Sequence, residues 1–582
     1  MRIRRLPLLI YVHLFSILLL SAGIVESQSA PMLSRTDYHD RLQGMWLGES
    51  LANWTGLNTE GSRTEAPFFT DEDWGVTVGR WQPIDFIVQP VWGSDDDTDI
   101  EYVYLHLMSE AASPYLTPEQ IVAGWERHIN DFIWVSNRRA RDLFDLGITP
   151  PATGLLLVND QALMIDAQLT TEFFGALAPG LPSEALQLAD LPIRTTAAGY
   201  AAHAAQFFVL LYSLAPTVDP ALSARDQMRW LVEQARGCLP DMSKSADVID
   251  FVLAEYRANP DPAAWETTRD RIYQRYHRDA AANGFVYRDW FESSVNLATG
   301  VMALLYGEGD FRSTVQIGTL SGWDSDNPTA TLGGLLGLLY GAEAIRAQFP
   351  DLDLSDRYNI YRTREDLPDY LPDDPDAEDT FSLMADRMMP LIDRVVSDAG
   401  GTVTSDGWEL SPLPSPSLAA NPLWRLHQAS ANNRPGQPPQ VEVGDVWTGG
   451  DPAWLMDGQE HDFSGEEVFE VTDYFMIDGD TDHQLILTVT YPRPVTAARI
   501  RLIEGDNDEP ETGLVAAHFE VRINGEWETL QTAQREAFDL ARPFQMIDFV
   551  LERPVEIEAL RLVGSTGAAN FVTLLELDVL AD

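Results

Sequence analysis

The stretch GWDSDNPTATLGGLLGLLYGA, residues 322–342, decides how this chain is read. It opens as a loop carrying Asp324, Asp326 and Asn327, then runs into small and aliphatic residues at helical spacing. Its glycines let a neighbouring backbone approach closely, which a buried metal site between helices would use. A second acidic loop, Gly93-Ser94-Asp95-Asp96-Asp97-Thr98-Asp99, precedes the amphipathic stretch Ile100–Met108. Each loop places carboxylates where a helix begins. Asp and Ser at such a point cap the helix and complement its dipole, and one or two of them satisfy that role. Three consecutive aspartates repel one another and require a counter-cation, which a hard divalent metal bound through oxygen supplies. For either loop taken alone, capping and metal binding both stand.

A third segment, Asp40–Asn53, spaces Gly44 and Gly48 four apart, so one helix face again admits close contact; by itself this is ordinary packing. Around these segments, residues 33–398 read mainly as helix. The runs Thr117–Val135, Thr195–Leu214, Ala246–Ala258, Ala263–Ala281 and Thr329–Ala347 carry apolar residues at spacings of three and four. Residues 399–440 include LSPLPSPS and NNRPGQPPQ, which is Pro/Ser-rich linker composition. From 441 to 582 the pattern alternates, as in Leu485–Tyr491, Ala498–Leu502, His518–Ile523 and Leu574–Val579, with a hairpin turn at Asn524-Gly525. The expected architecture is multidomain, a helical module followed by a β-sandwich.

At the start of the chain Arg2, Arg4 and Arg5 precede the apolar run Leu6–Leu20, and small residues follow. Residues 1–30 therefore read as a secretory signal cut near Val25-Glu26-Ser27, with an uncleaved N-terminal anchor as the alternative. No other run approaches the ~18 apolar residues of a membrane span. The expectation is a secreted or periplasmic protein without membrane contact once the signal is removed. Its 582 residues carry 90 Asp+Glu against 39 Lys+Arg, a net charge of −51, and Lys244 is the one lysine. Such a surface repels polyanions and excludes nucleic acid as a partner; it suits salty water, where screening relieves self-repulsion. The single cysteine, Cys238, forbids an intrachain disulfide or a Cys-based zinc cluster and reads as a small buried hydrophobe.

The three segments, in this order, resemble the ADP-ribosylglycohydrolase family (dinitrogenase reductase-activating glycohydrolase and its relatives). Gly44, Gly48 and Glu49 match the family's opening G-x-x-x-G-D/E helix. Asp95-Asp96-Asp97-Thr98 matches its T-D-D-T loop, and Gly322–Asn327 matches its closing G-G-D-x-D-T/N. Met164–Gly175 and Tyr306–Phe311 look like segments common in bacterial members. The resemblance covers roughly 33–398. It implies an all-α orthogonal helical bundle holding two Mg²⁺ (or Mn²⁺) ions between the loops. On that pattern Asp96, Asp97, Asp324 and Asp326 are ligands, Asp95 stands in the place of the first-loop Thr, and Asn327 in that of the final Thr. The catalytic candidates are Asp97 and Asp324, with Glu49 as an alternative base, and Asn53, Trp323 and Ser325 are substrate-contact candidates. The sequence departs from the pattern at Asp95, Trp323 and Asn327, and the aspartate run also allows the register Ser94-Asp95-Asp96.

The implied activity is hydrolysis of an N- or O-ribosyl-type glycosidic bond, on a small molecule or on a glycosylated or ADP-ribosylated substrate. The alternative is a non-catalytic protein that binds ADP-ribose, a nucleotide or a glycan in the retained pocket. The C-terminal segment resembles galactose-binding-like (discoidin-type) modules through Leu455–Gly458, Leu485–Val495 and the closing Leu575-Glu576-Leu577; such modules often bind glycans, and a structural appendage is the other reading. Asp478-Gly-Asp480-Thr-Asp482 begins like a calcium loop but lacks the EF-hand Gly and Glu, leaving a structural Ca²⁺ in this module as an expectation. Asn53-Trp54-Thr55 fits a glycosylation sequon by chance, His203 reads as a core histidine, and the acidic runs 71–73 and 373–379 read as solvated loops.

Overall fold

The computed structural model describes residues 32–409, 439–455 and 475–580, apart from 81, 94–95, 157, 240–242, 361–365, 447, 451, 453–454, 506–511, 535–536, 539 and 541–544. The expected signal, 1–30, and the Asp457-Gly458 match lie outside the described residues. Among the described residues no helix is long and apolar enough to cross a membrane.

The helical module is organised on one antiparallel pair, the helices Arg35–Gly56 and Asp326–Tyr340. They touch backbone to backbone. A Cβ placed on Gly337 would lie 1.9 Å from the Gly44 carbonyl oxygen, and one on Gly48 would lie 2.2 Å from that of Gly333. No side chain larger than hydrogen fits at these crossings, which gives the four-residue glycine spacing of both segments its physical reason. The helices Gly199–Leu214 and Ser293–Tyr306 are buried on every side, as expected of helices that are apolar all round. Cys238 is buried, as its composition predicted.

Several expected runs are subdivided. Thr117–Val135 becomes the helix Pro118–His128, opened by a capping box from Thr117 and Gln120, and a new helix starts at Val135. Ala263–Ala281 becomes Trp265–Ile272 followed by a π-helical turn, Tyr273–Arg278. The stretch expected as a linker begins as structure. Gly407–Glu409 pairs antiparallel with Met32–Ser34 on one side and with Thr402–Val403 on the other. Trp408 is buried there, edge-on to Tyr38, and its Nε1 donates to Asp393 Oδ1 at 2.7 Å. Residues 410–438 lie outside the described residues.

The C-terminal module is a nine-stranded antiparallel sheet among the described residues. Two of its strands, Gln484–Glu504 and Met546–Thr566, are 21 residues long. Straight, each would span roughly 70 Å at ~3.4 Å per residue. Their pairing shifts register between Val550 and Val555 and between Ile557 and Ala559, the kind of irregularity that bends a strand. Leu487, Val489, Leu502, Phe519, Leu560 and Leu577 pack inside the bent sheet. Asn524 and Gly525 both have positive φ in the predicted hairpin turn. Asp480 closes a turn, its Oδ1 accepting from the amides of Asp482 and Gln484.

Substituting Gly337 by Ala forces the two central helices apart. Urea denaturation followed by helical circular dichroism should show the helical module destabilised by about 2–3 kcal/mol, the upper range of core overpacking. Gly237→Ala, where an added Cβ meets nothing within 4 Å, should not destabilise it.

Candidate functional site

The last turn of the first helix joins the two acidic loops. Asn53 is fully buried, and its Nδ2 donates to Asp97 Oδ2 at 2.5 Å; an amide so placed is no glycan acceptor. Asp96 and Asp97 form the first turn of the helix Asp96–Ala111, where exposed backbone N–H groups favour negative charge. Asp95 and Ser94 lie outside the described residues. Three residues beyond Asn53, Gly56 lies against the second loop, and an added Cβ would come within 2.4 Å of the Asp326 Cα. Ser325 Oγ donates to the Gly56 carbonyl at 3.1 Å and meets Thr59 Oγ1 at 2.9 Å. Ser325 thus ties the loop to the first helix and makes no side-chain cap on its own helix.

Glu60, Asp324 and Asp326 each offer a carboxylate oxygen within 4.8 Å of the others. Glu60 is delivered by a long-range backbone contact, in which the Gly61 amide donates to the Trp323 carbonyl at 2.8 Å. It also pairs with Arg80 at 2.9 Å. Asp324 is held from below by Asn296, whose Oδ1 accepts from the Asp324 amide at 3.2 Å. Asn327 Nδ2 donates to Asp324 Oδ2 at 2.6 Å, and its own Oδ1 is buried with no hydrogen-bond partner. An all-oxygen donor set with one orphaned amide oxygen beside it fits a hard divalent cation such as Mg²⁺ or Mn²⁺.

Trp323 sits in this loop at φ +55°, a strained conformation for a bulky residue. Its indole is fully buried against Phe68 and Tyr273, and Nε1 donates to His277 Nδ1 at 3.2 Å. His277 comes from the π-helical turn and stacks on Tyr287. Trp323 therefore acts on the site through the loop it anchors, having no exposed face of its own. On the side of the first loop, Asn137 bridges two carboxylates. Its amide donates to Asp166 Oδ1 at 2.9 Å and its Nδ2 to Asp96 Oδ2 at 3.4 Å. Burial pushes Asp166 up to about 6.

Glu49 does not join the Glu60–Asp324–Asp326 group. It lies with Glu101 and Glu172 in a second acidic cluster, fully buried beneath the glycine-rich helix. Its Oε2 would be 3.1 Å from a Cβ on Gly334. Glu101 Oε1 accepts from the Phe173 amide at 3.1 Å, and Glu172 Oε1 accepts from Thr331 Oγ1 at 2.6 Å. Burial first, and then the neighbouring carboxylates, push Glu49 and Glu101 well above the usual carboxylate range. Burial pushes Glu172 up to about 7.

Sequence reasoning missed Glu60, Asn296 and Asn137. Glu60 stands in Asn58-Thr59-Glu60-Gly61 just after the first helix, and the one local signal is an acid at the exit of a motif helix. Asn296 and Asn137 carry no local signal, because their roles come from the chain they meet.

The model of the family described as ADP-ribosylglycohydrolase matches residues 34–376. No curated protein matches the chain. Among solved structures, the C-terminal part is similar to the family 32 CBM from C. perfringens NanJ, solved in complex with galactose. That likeness has 13% identity, covers 24% of this chain and 93% of the other, and has a TM-score of 0.20. It is also similar to chitosan-binding module 1 of a chitosanase/glucanase from Paenibacillus sp. IK-5, at 13% identity, 26% and 98% coverage and a TM-score of 0.20.

Glu172 holds its proton in the fold up to about pH 7, whereas in the unfolded chain it ionises near 4.5. The folded state therefore binds more protons between these values and loses stability as pH rises through them. Glu172→Gln removes that loss. Relative to the parent it should gain stability between pH 5 and pH 8, measured by urea denaturation at both pH values.

Proposed function

Because the chain belongs to the ADP-ribosylglycohydrolase family, we propose that it is a divalent-metal-dependent hydrolase, acting after export on a ribosyl-type glycosidic bond. The observation that carries this reading is the convergence of Glu60, Asp324 and Asp326, with oxygens within 4.8 Å of one another, in the loop that closes the family motif. Asp324, Asp326 and Glu60, with Asn327, would hold one cation, and Asp95, Asp96 and Asp97 a second. Such cations would polarise water and the sugar hydroxyls beside them.

In this reading the remaining work falls to the chain itself. Asn53 fixes the Asp97 carboxylate in one orientation through its 2.5 Å hydrogen bond. A carboxylate of the acidic loops, Asp97 or Asp324, takes a proton from the attacking water. The water oxygen bonds to the anomeric carbon, the bond from that carbon to the leaving group breaks, and the leaving group receives the proton that the carboxylate took, which restores the carboxylate. Positioned acid–base assistance of this kind contributes ~10²–10⁴-fold in rate. Glu49, buried in the second cluster, serves in this scheme to set the first helix against its neighbours, and Glu60 takes the place beside the metal loop. Trp323 and Ser325 hold the loop against the first helix.

Mn²⁺ titration by calorimetry on the full chain, with and without ADP-ribose, tests the reading. Asp324→Ala should abolish both metal binding and turnover, and Glu60→Gln should weaken metal binding at least tenfold. Metal binding and turnover left unchanged in Asp324→Ala would overturn the assignment. Metal binding without turnover of any glycoside would favour the non-catalytic pocket.

A further inference from the structure

Trp323 is the pivot of the second acidic loop. Its carbonyl accepts from the Gly61 amide at 2.8 Å, the bond that delivers Glu60, and the next residue in the chain is Asp324. Its φ of +55° is a value that a bulky residue keeps only where its surroundings hold it. Phe68 and Tyr273 pack on the indole, with ring centroids at 5.4 and 6.5 Å. The polar end of the side chain is held by His277, whose Nδ1 accepts from the indole Nε1 at 3.2 Å. A line of contacts therefore runs from His277 through Trp323 to two of the three carboxylates that converge at this site.

An indole N–H donates and never accepts. The imidazole nitrogen facing it must be the bare one, which puts the ring proton of His277 on Nε2. On that side lie the Thr64 backbone and the Glu65 carboxylate, 3.9 Å away, and both draw a proton there. The ring lies flat on Tyr287, at 3.6 Å and 15°, and edge-on to Tyr273, so its plane is fixed. An imidazolium carries a proton on both nitrogens. In this clamp its Nδ1–H would face the indole N–H, donor against donor, and the bond that holds Trp323 would be lost. Glu65 is the charged group that faces the ring, and Tyr273, Tyr287 and Trp323 pack on it. The Tyr287 hydroxyl also faces the indole, and burial pushes that phenol up, so it stays neutral. Burial outweighs the pull of Glu65 and holds His277 below the usual histidine range, so the ring is neutral at pH 7.

We propose that His277 is a positioning residue for the cation site. Its bare Nδ1 fastens Trp323, and with it Glu60 and Asp324, in the arrangement that binds the metal, and protonation of the ring undoes that hold. The inference rests on the metal-dependent reading given above. Cation affinity then falls in acid by a route separate from protonation of the ligand carboxylates.

The test is Mn²⁺ titration of the full chain by calorimetry at pH 7.5 and pH 4.5, with helical circular dichroism at both to separate unfolding from loss of metal. Beside it, the chain labelled with ¹⁵N-tryptophan is followed by NMR, the Trp323 indole signal being assigned by its loss in Trp323→Phe. His277→Asn is the informative variant, because Asn Oδ1 stands where Nδ1 stood and does not titrate. It should keep the Mn²⁺ affinity at pH 7.5 and lose about fivefold less of it than the parent on going to pH 4.5. His277→Phe keeps the stack on Tyr287 and offers no acceptor; leaving the buried indole N–H unpaired, it should weaken Mn²⁺ binding about tenfold at both pH values. The Trp323 indole signal should shift as pH falls in the parent and stay in place in His277→Asn. An equal decline in affinity for the parent and His277→Asn, or an indole signal that does not titrate, would overturn the proposal and leave the metal reading intact. An indole signal that titrates through His277 in a chain that binds no Mn²⁺ at pH 7.5 would sink the metal reading and leave the hold of His277 on Trp323 standing.

Discussion

The contact between the helices Arg35–Gly56 and Asp326–Tyr340 is made by backbone, with Gly44 and Gly48 seated on Gly337 and Gly333. Everything chemical in the helical module hangs from it. Because the helices run antiparallel at this short distance, the C-terminal turn of one arrives at the N-terminal loop of the other. Gly56 then rests on Asp326, Ser325 bonds to the first helix, and Glu60 emerges beside Asp324. Dispersion between close backbones is small per atom and large in sum. A single methyl group on either face would cost that contact.

The molecule handles its buried negative charge in two ways. At the loops, carboxylates are given amides and helix N-termini: Asn53 for Asp97, Asn137 for Asp96 and Asp166, and Asn327 for Asp324. Beneath the glycine-rich helix, Glu49, Glu101 and Glu172 are buried where the neutral form is favoured. Asp97 and Glu101 are one turn apart on the helix Asp96–Ala111, as are Asn53 and Glu49 on the first helix, so carboxylates that keep their charge and carboxyls that lose it follow one another along the same helices. Neutral carboxyls can donate as well as accept, so the second cluster fastens helices together without adding to the charge of the first.

Much of this was legible in the chain. The change from period-three-and-four to period-two patterning marked the two modules, the glycine spacing marked the central pair, and both acidic loops lie at helix starts as read. What escaped depends on distant pairings. Glu60 gains its meaning from an amide–carbonyl bond between Gly61 and Trp323, 262 positions apart. Asp379, in an acidic run read as solvated, is fully buried between Tyr102 and Arg387. A two-residue strand pairing with Arg357-Tyr358 turns it inward. Trp408 lay in apparent linker composition, and only its pairing partner at residues 32–34 makes it core. Local pattern names the elements, while the partner of an irregular segment is set by packing that no window of sequence contains.

The pairing of Met32–Ser34 with Gly407–Glu409 has a topological consequence. The helical module leaves its fold at the ladder where it entered, so its two ends are neighbours in space. A unit closed in this way can be spliced into a longer chain, or rejoined head to tail and reopened at a surface loop, without disturbing its interior. Whatever follows residue 409 is attached at a seam, and exchanging one appended module for another would leave the helical architecture as it is.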